Sequence, residues 1–381
     1  MPSPFIVRGL TALALAWAAS GCQASPTAVE SPAAAPDTTA APSDATAAAP
    51  RLTSTELNLY AWSEYIPQDL LDAFAAEHGI RVNYDAFSSN EELLAKMQAG
   101  AAGYDVILPS DYMVTVMAKQ GMLEPLDTSL LANFGNLDPQ FVDRPYDPGN
   151  AYSVPYQWGT VGIAVDTAAV STPVTAWADL WDPAFAQGLV MVDDEREVIG
   201  LTLMTLGHDR NSTDPAELEA AKARLAALKP NIRLFDSDSP KTALLAGEVK
   251  AGVVWNGEAA LAHRENPAIA YVLPAEGCGI WFDNLAMPKD PPHKDAALAF
   301  IDFVLRPDMS MLITRDFPYS NPNAAGLAAL AEAEPELYAA YMAYPATNPP
   351  AADLAKCQAI VDIGDALPLW DKLWTDVKSG E

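Results

Sequence analysis

The chain has 381 residues, half of them apolar, enough for roughly two to three domains and a large core. Fifty acidic side chains against 22 basic ones leave a formal charge of −28. That balance excludes a nucleic-acid binder, which neutralises phosphate with clustered Lys and Arg, and suits attraction of cations to a cleft as well as plain solubility.

Arg8 precedes an apolar stretch, Leu10 to Ala19, followed by Ser20-Gly21-Cys22. A basic start, a short apolar core and small residues make an export signal rather than a membrane span. The Ser-Gly-Cys ending resembles a bacterial lipobox, although Ala19 stands where Leu is usual. The resemblance implies a lipoprotein-type signal peptide over 1–22, lipidation of Cys22, and a periplasmic or cell-surface protein touching the membrane only through that lipid. Residues 23–52 are mostly Ala, Pro, Ser and Thr, a composition that reads as a disordered tether. With Cys22 so used, Cys278 and Cys357 remain as an even pair that can form a disulfide in an oxidising compartment.

From residue 56 a βα rhythm begins. Leu57 to Trp62 alternates as a strand with Leu57 and Leu59 on one face. Pro67 opens a helix carrying Leu70, Leu71 and Phe74, which Gly79 stops. Ile80 to Phe87 is a second strand, and Ser89 with Glu92 forms a capping box for the next helix. Asp105 to Pro109 is a third strand, and a helix follows from Asp111, which reads as its N-cap. Later strands fall at Gly162–Val165, Leu189–Val192, Ile232–Phe235, Val253–Trp255 and Ala270–Leu273. Helices fill the gaps at 197–207, 215–229, 240–247 and 257–265. In the second of these, Asp214 caps and Leu218, Ala221, Leu225 and Leu228 share one face. The C-terminal part is mostly helical. Strands alternating with helices imply an α/β fold of mostly parallel sheets flanked by helices, arranged as two lobes.

Enzyme signatures are scarce. There is no phosphate loop, nucleophile elbow or dinucleotide fingerprint, and the four histidines stand singly, without metal-ligand spacing. No cofactor is implied. Instead, aromatic residues and carboxylates recur where strands end: Trp62-Ser63-Glu64-Tyr65, Ser110-Asp111-Tyr112, Asp193 to Glu197, Trp255 to Glu258, and Trp281-Phe282-Asp283. Ligands of open α/β sheets bind at such ends. Carboxylates neutralise ammonium groups, and aromatic faces attract cations while packing methylenes. Singly, each has a plainer reading: Asp193 caps a helix, Arg196 pairs with an acid, and Glu258 favours a positive helix end. Their joint recurrence points to one site for a flexible chain bearing amines.

These segments resemble the spermidine/putrescine-binding members of the bacterial periplasmic solute-binding proteins. The likeness runs from Leu57 to Lys378, through Leu59 to Tyr65, Ser89-Asn90-Glu91, Tyr104 to Ser110, Pro155 to Gly159, Trp177 to Trp181, Asp193 to Val198, Val254 to Gly257 and Leu305 to Asp308. It implies a periplasmic-binding-protein-like (type II) clamp with lobes of 53–155 plus 284–318 and 156–283 plus 319–381. The ligand cleft would lie between them. By the same resemblance the ligand-binding residues are Trp62, Ser63, Glu64, Tyr65, Ser110, Tyr112, Asp194, Glu197, Trp255, Trp281, Asp283 and Tyr319. Ile360 stands where the spermidine-specific member has a glutamine, with Gln358 out of register. The implied protein is a non-enzymatic monomer that delivers spermidine, or putrescine, to the membrane permease of an ABC importer. The alternatives are a same-fold binder of another small cationic or metal ligand, and a carboxylate-pair glycosidase.

Overall fold

The computed structural model describes residues 52–100 and 103–379. The signal, the tether to Arg51 and Cys22 lie outside the described residues. Among the described residues ten strands follow in chain order: β1 (Glu56–Trp62), β2 (Arg81–Phe87), β3 (Val106–Ile107), β4 (Ser153–Asp166), β5 (Leu189–Met191), β6 (Ile232–Phe235), β7 (Ala251–Trp255), β8 (Ile269–Val272), β9 (Gly279–Ala286) and β10 (Gln358–Ala359). The helices that matter below are α1 (Gln68–His78), α2 (Asn90–Gln98), α3 (Asp111–Lys119), α4 (Glu195–Thr205), α5 (Pro215–Leu228), α6 (Lys241–Leu245) and α7 (Asn256–Glu265).

Local sequence explains the regular parts. In β1, Leu57, Leu59 and Ala61 enter the core under α1, while Tyr60 turns to the other face beside Phe87, Leu93 and Met113, as the two-residue period of a strand requires. Helix α1 buries Leu70, Leu71 and Phe74 and ends at Gly79, whose φ of 67° is left-handed, a conformation glycine adopts without steric cost. Helix α5 buries its expected face, and Asp214 accepts the Ala216 and Glu217 amides at 2.7 and 3.3 Å.

The strands form one sheet in the order β2-β1-β3-β9-β4-β7-β5-β6, with β10 on β9 and β8 on β4. Its two ends are the parallel centres of two lobes: β2, β1 and β3 on one side, β7, β5 and β6 on the other. The middle differs from the expected mostly parallel pattern. Strands β4 and β9 run through both lobes and are antiparallel to each other and to β3, β7 and β8, while the short β10 lies parallel on β9. Their ladder is irregular between Pro155 and Gln157, where proline has no N–H to donate. A third crossing pairs Trp158 with Ser320 through bonds of 2.9 and 3.0 Å.

Several local expectations are corrected. The strand expected at Gly162–Val165 is fourteen residues long and starts at Ser153. Trp281, Phe282 and Asp283 lie inside β9 rather than at its end. Asp111 is the first helical residue of α3, and Ser110 is in the capping position with no side-chain cap bond. Asp194, not Asp193, caps α4, accepting the Glu197 amide at 2.9 Å. Asp193 instead takes the Lys378 ammonium at 2.6 Å. Among the described residues Arg196 pairs with no acid: its guanidinium donates to Asn211 and to the Val361 carbonyl and lies over Trp370. Cys278 and Cys357 are joined as a disulfide, Cα to Cα 4.3 Å, which holds β10 against β9.

Candidate functional site

A cleft of about 660 Å³ lies between the lobes. Eleven of the twelve residues expected there line it. From the first lobe come Trp62, Ser63 and Tyr65 after β1, and Ser110 and Tyr112 at the start of α3. From the second come Asp194 and Glu197 of α4, Trp255 at the end of β7, and Tyr319; Trp281 and Asp283 project from β9 between them.

Glu64 is the exception. It sits in a left-handed turn conformation, φ 47°, which few non-glycine residues adopt, and its side chain is more than half exposed. Its carboxylate meets the Lys241 ammonium at 2.8 Å. That ammonium is shared with the buried Glu258 at 3.0 Å. Burial opposes the charge on Lys241, but Glu258 and Glu64 outweigh it and raise its pKa. Burial in turn lifts Glu258 to about 7 against the pull of Lys241.

Asp283 is a buried acid of the cleft floor, 5% exposed. It has hydrogen-bond donors but, among the described residues, no counter-charge. Ser110 Oγ donates to one oxygen at 2.6 Å and Tyr65 Oη to the other at 2.7 Å. Asn90 fixes Ser110 by donating to its Oγ at 3.0 Å and accepting its amide at 3.1 Å. Burial lifts Asp283 to about 7, the two hydroxyls pulling the other way; charge removed from water favours the neutral form.

Glu197 is held differently. Its Oε2 takes the Arg210 guanidinium at 2.7 Å, both side chains almost fully buried. Arg210 is itself fixed by the Gln358 carbonyl at 2.8 Å. A Cβ on Gly279 would meet both Arg210 and Glu197 at 2.6 Å, so glycine on β9 makes room for the pair. Asp194, next to them, is lifted to about 7 by burial, then by the nearby charges of Glu91 and Glu197.

The aromatic residues form a connected set. Trp281 is edge-on to Trp255 (centroids 6.4 Å apart, 90°) and to Tyr319 (5.6 Å), and Tyr319 is edge-on to Tyr65 (5.2 Å). Trp255 Nε1 donates to the Ser237 carbonyl at 3.1 Å and Trp62 Nε1 to that of Leu108 at 2.9 Å, so both rings are pinned in place. Tyr319 lies against the first turn of α7, where a Cβ on Gly257 would meet its ring at 2.5 Å.

Sequence reasoning missed four further lining residues, Ser88, Asn90, Ser237 and Asp238, and set aside a fifth, Asp111, which the strand-end pattern contained, as a helix cap. Asp238 accepts from Ser63 and Ser88 of the opposite lobe at 2.8 and 2.9 Å. It follows β6, so the acid-after-strand signal used elsewhere would have found it. Ile360 also faces the cleft.

A two-lobed α/β clamp whose cleft carries acids and rings on both walls is a ligand-binding protein of the extracytoplasmic type. The bacterial extracellular solute-binding protein family matches residues 69–346. The chain is 40% identical over 326 residues to the spermidine/putrescine-binding periplasmic protein of Salmonella typhimurium, covering 85% of this chain and 92% of that one. It is 33% identical to the putrescine-binding periplasmic protein PotF of Escherichia coli, with the same coverage. Among solved structures, a putative spermidine/putrescine ABC transporter protein from Listeria monocytogenes superposes with a TM-score of 0.81 at 32% identity, over 86% of this chain and all of that one. The chain belongs to the polyamine branch of the periplasmic solute-binding proteins of ABC importers. It is a transport binding protein, not an enzyme.

Proposed function

We propose that the cleft binds a polyamine, spermidine in preference to putrescine, and that the closed clamp is delivered as a monomer to the membrane permease of an ABC importer. The observation that carries this reading is Asp283: a buried carboxylate with two hydroxyl donors and no counter-charge, beneath Tyr65, Trp281 and Tyr319. An ammonium supplies the missing charge. Methylenes pack on the rings, and a cation over an indole face contributes about 0.5–2 kcal/mol, more when desolvated. Asp194 and Asp238 offer further acids along the same cleft.

The lobes are 53–155 with 284–318, and 156–283 with 319–381; β4, β9 and the 319–320 crossing are the hinge. Acids on both walls repel one another until an amine chain arrives. The closed form then gains contacts the open one lacks, which is the differential affinity that shifts a clamp. Spermidine is favoured because the 40% identical relative is named for both polyamines, whereas the putrescine-only relative stands at 33%. Cys22 is the lipid anchor; partition of the protein into detergent, lost in Cys22→Ser, tests that part.

Calorimetric titration with spermidine, putrescine and an uncharged diol of matching length decides the ligand. Tight binding of spermidine, weaker binding of putrescine and no heat from the diol are expected. Diol binding as tight as that of either amine would reject the reading; tighter putrescine would reverse only the ranking.

A further inference from the structure

We propose that Asp111 is a second carboxylate ligand of the ammonium bound at Asp283, and that binding there expels a proton from this pair of acids. The inference rests on the polyamine reading above. It assigns a role to a residue that the strand-end pattern touched but that was read as a helix cap, and that the family resemblance did not place in the site.

The geometry singles Asp111 out. It is 4% exposed, it lines the cleft, and its Oδ1 has no hydrogen-bond partner. A buried, unpartnered carboxylate oxygen is costly unless something else completes it. Helix capping does not, because Asp111 is already inside α3. The residue before it, Ser110, is bridged antiparallel to Asp283, so the two acids rise from adjacent backbone positions into the same space.

The other groups facing Asp111 leave its charge unanswered. Asp283 and Glu197 face it from β9 and α4 and both oppose its ionisation. Arg210 faces it too, but that guanidinium is committed to Glu197 and to the Gln358 carbonyl. Tyr146, from the segment before β4, donates its hydroxyl to Asn284. Burial, first, lifts Asp111 to about 8, with only the Tyr112 amide and Arg210 pulling back. At neutral pH the carboxyl therefore holds its proton until a cation arrives.

The exchange balances simply. The carboxyl O–H bond breaks, its electron pair stays on the Asp111 oxygen, the proton passes to solvent, and the ligand nitrogen keeps its own protons. The ammonium then sits between two carboxylates.

The test is titration with spermidine at pH 7 in two buffers of different ionisation enthalpy, which counts protons released. The unaltered protein is expected to release about one proton per ligand. Asp111→Asn is expected to bind about 10- to 100-fold more weakly and to release at least half a proton less. Asp111→Ser, smaller and uncharged, must reproduce both changes, and thermal melts of the ligand-free variants confirm folding. An unchanged dissociation constant overturns the proposal. So does weaker binding with an unchanged proton count, which would make Asp111 a mere support of the site's shape. If the unaltered protein binds no polyamine, the functional reading falls and this inference with it.

Discussion

Asp283 and Glu197 are both buried acids of one cleft, yet they are prepared in opposite ways. Asp283 is given hydroxyl donors, Ser110 and Tyr65, that orient a carboxylate without cancelling its charge. Glu197 is given Arg210, a permanent cation at 2.7 Å. Hydroxyls leave an acid hungry for a cation; a guanidinium satisfies it. A buried ion pair must offset its own desolvation and is weak evidence for net stability, but it fixes the place of both partners. The difference suggests that Asp283 is spent on the ligand and Glu197 on the wall that shapes the cleft.

Removing the charge at each position separates the two roles. Asp283→Asn should weaken spermidine binding by about 30- to 1,000-fold, as expected when one partner of a buried charge pair is lost. The ligand-free variant should melt no lower than the parent, since an uncompensated buried acid is gone. Calorimetry and a thermal melt read the two quantities. An unchanged dissociation constant would take Asp283 out of the site.

Arg210→Met should do the reverse. It strands Glu197 without its partner and breaks the bond to the Gln358 carbonyl, at a cost of about 3–5 kcal/mol in stability. Affinity should fall less than in Asp283→Asn. Adding Glu197→Gln to the variant should recover much of the loss, measured by denaturant unfolding. A deep loss of affinity with stability intact would exchange the roles assigned to the two acids.

The comparison also explains what the sequence could and could not disclose. Trp255 was legible because acid and indole recur where strands end, and Trp281 and Asp283, which lie inside β9, because their neighbours match a known family. Arg210 was not: it lies in the turn after α4, thirteen residues from Glu197, and no spacing rule links them. The first half of β4 was hidden as well, because Pro155, Gln157 and Trp158 break any strand period, and both of its faces are covered by other elements. Strands and helices with a clean period, such as β1, α1 and α5, were readable at once. Glu64 stands apart from the lining residues because it sits in a left-handed turn with its carboxylate on Lys241, and backbone dihedrals of that kind leave no mark on composition.

Acidity tests the whole floor at once. Asp111, Asp194 and Asp283 are all raised, chiefly by burial, to about 8, 7 and 7. An unfolded chain holds such groups near 4. Between these values the native state binds more protons than the unfolded one, so stability falls as pH rises. The ligand-free protein should therefore melt progressively lower from pH 5 to pH 8. Spermidine binding needs the ionised forms, so the upward shift it gives in melting temperature should be larger at pH 8 than at pH 5. A ligand-free melting temperature that climbs over this window would show that burial does not govern these acids.

Glu64 offers the smallest effect and the sharpest limit on the comparison. Like Glu197 it is already paired with a resident cation, Lys241; unlike Glu197 it is largely exposed, and Lys241 keeps Glu258 as a second partner. Exposed pairs contribute about 0.2–1 kcal/mol. Glu64→Gln should therefore change spermidine affinity by no more than about fivefold, mainly by loosening the contact between the lobes, and the change should shrink at high salt. A loss as deep as that of Asp283→Asn, insensitive to salt, would mean that Glu64 leaves Lys241 and turns inward when the ligand enters. In that case a resident partner would not be what removes an acid from ligand binding, and Glu197 would have to be counted again among the groups that grip the amine.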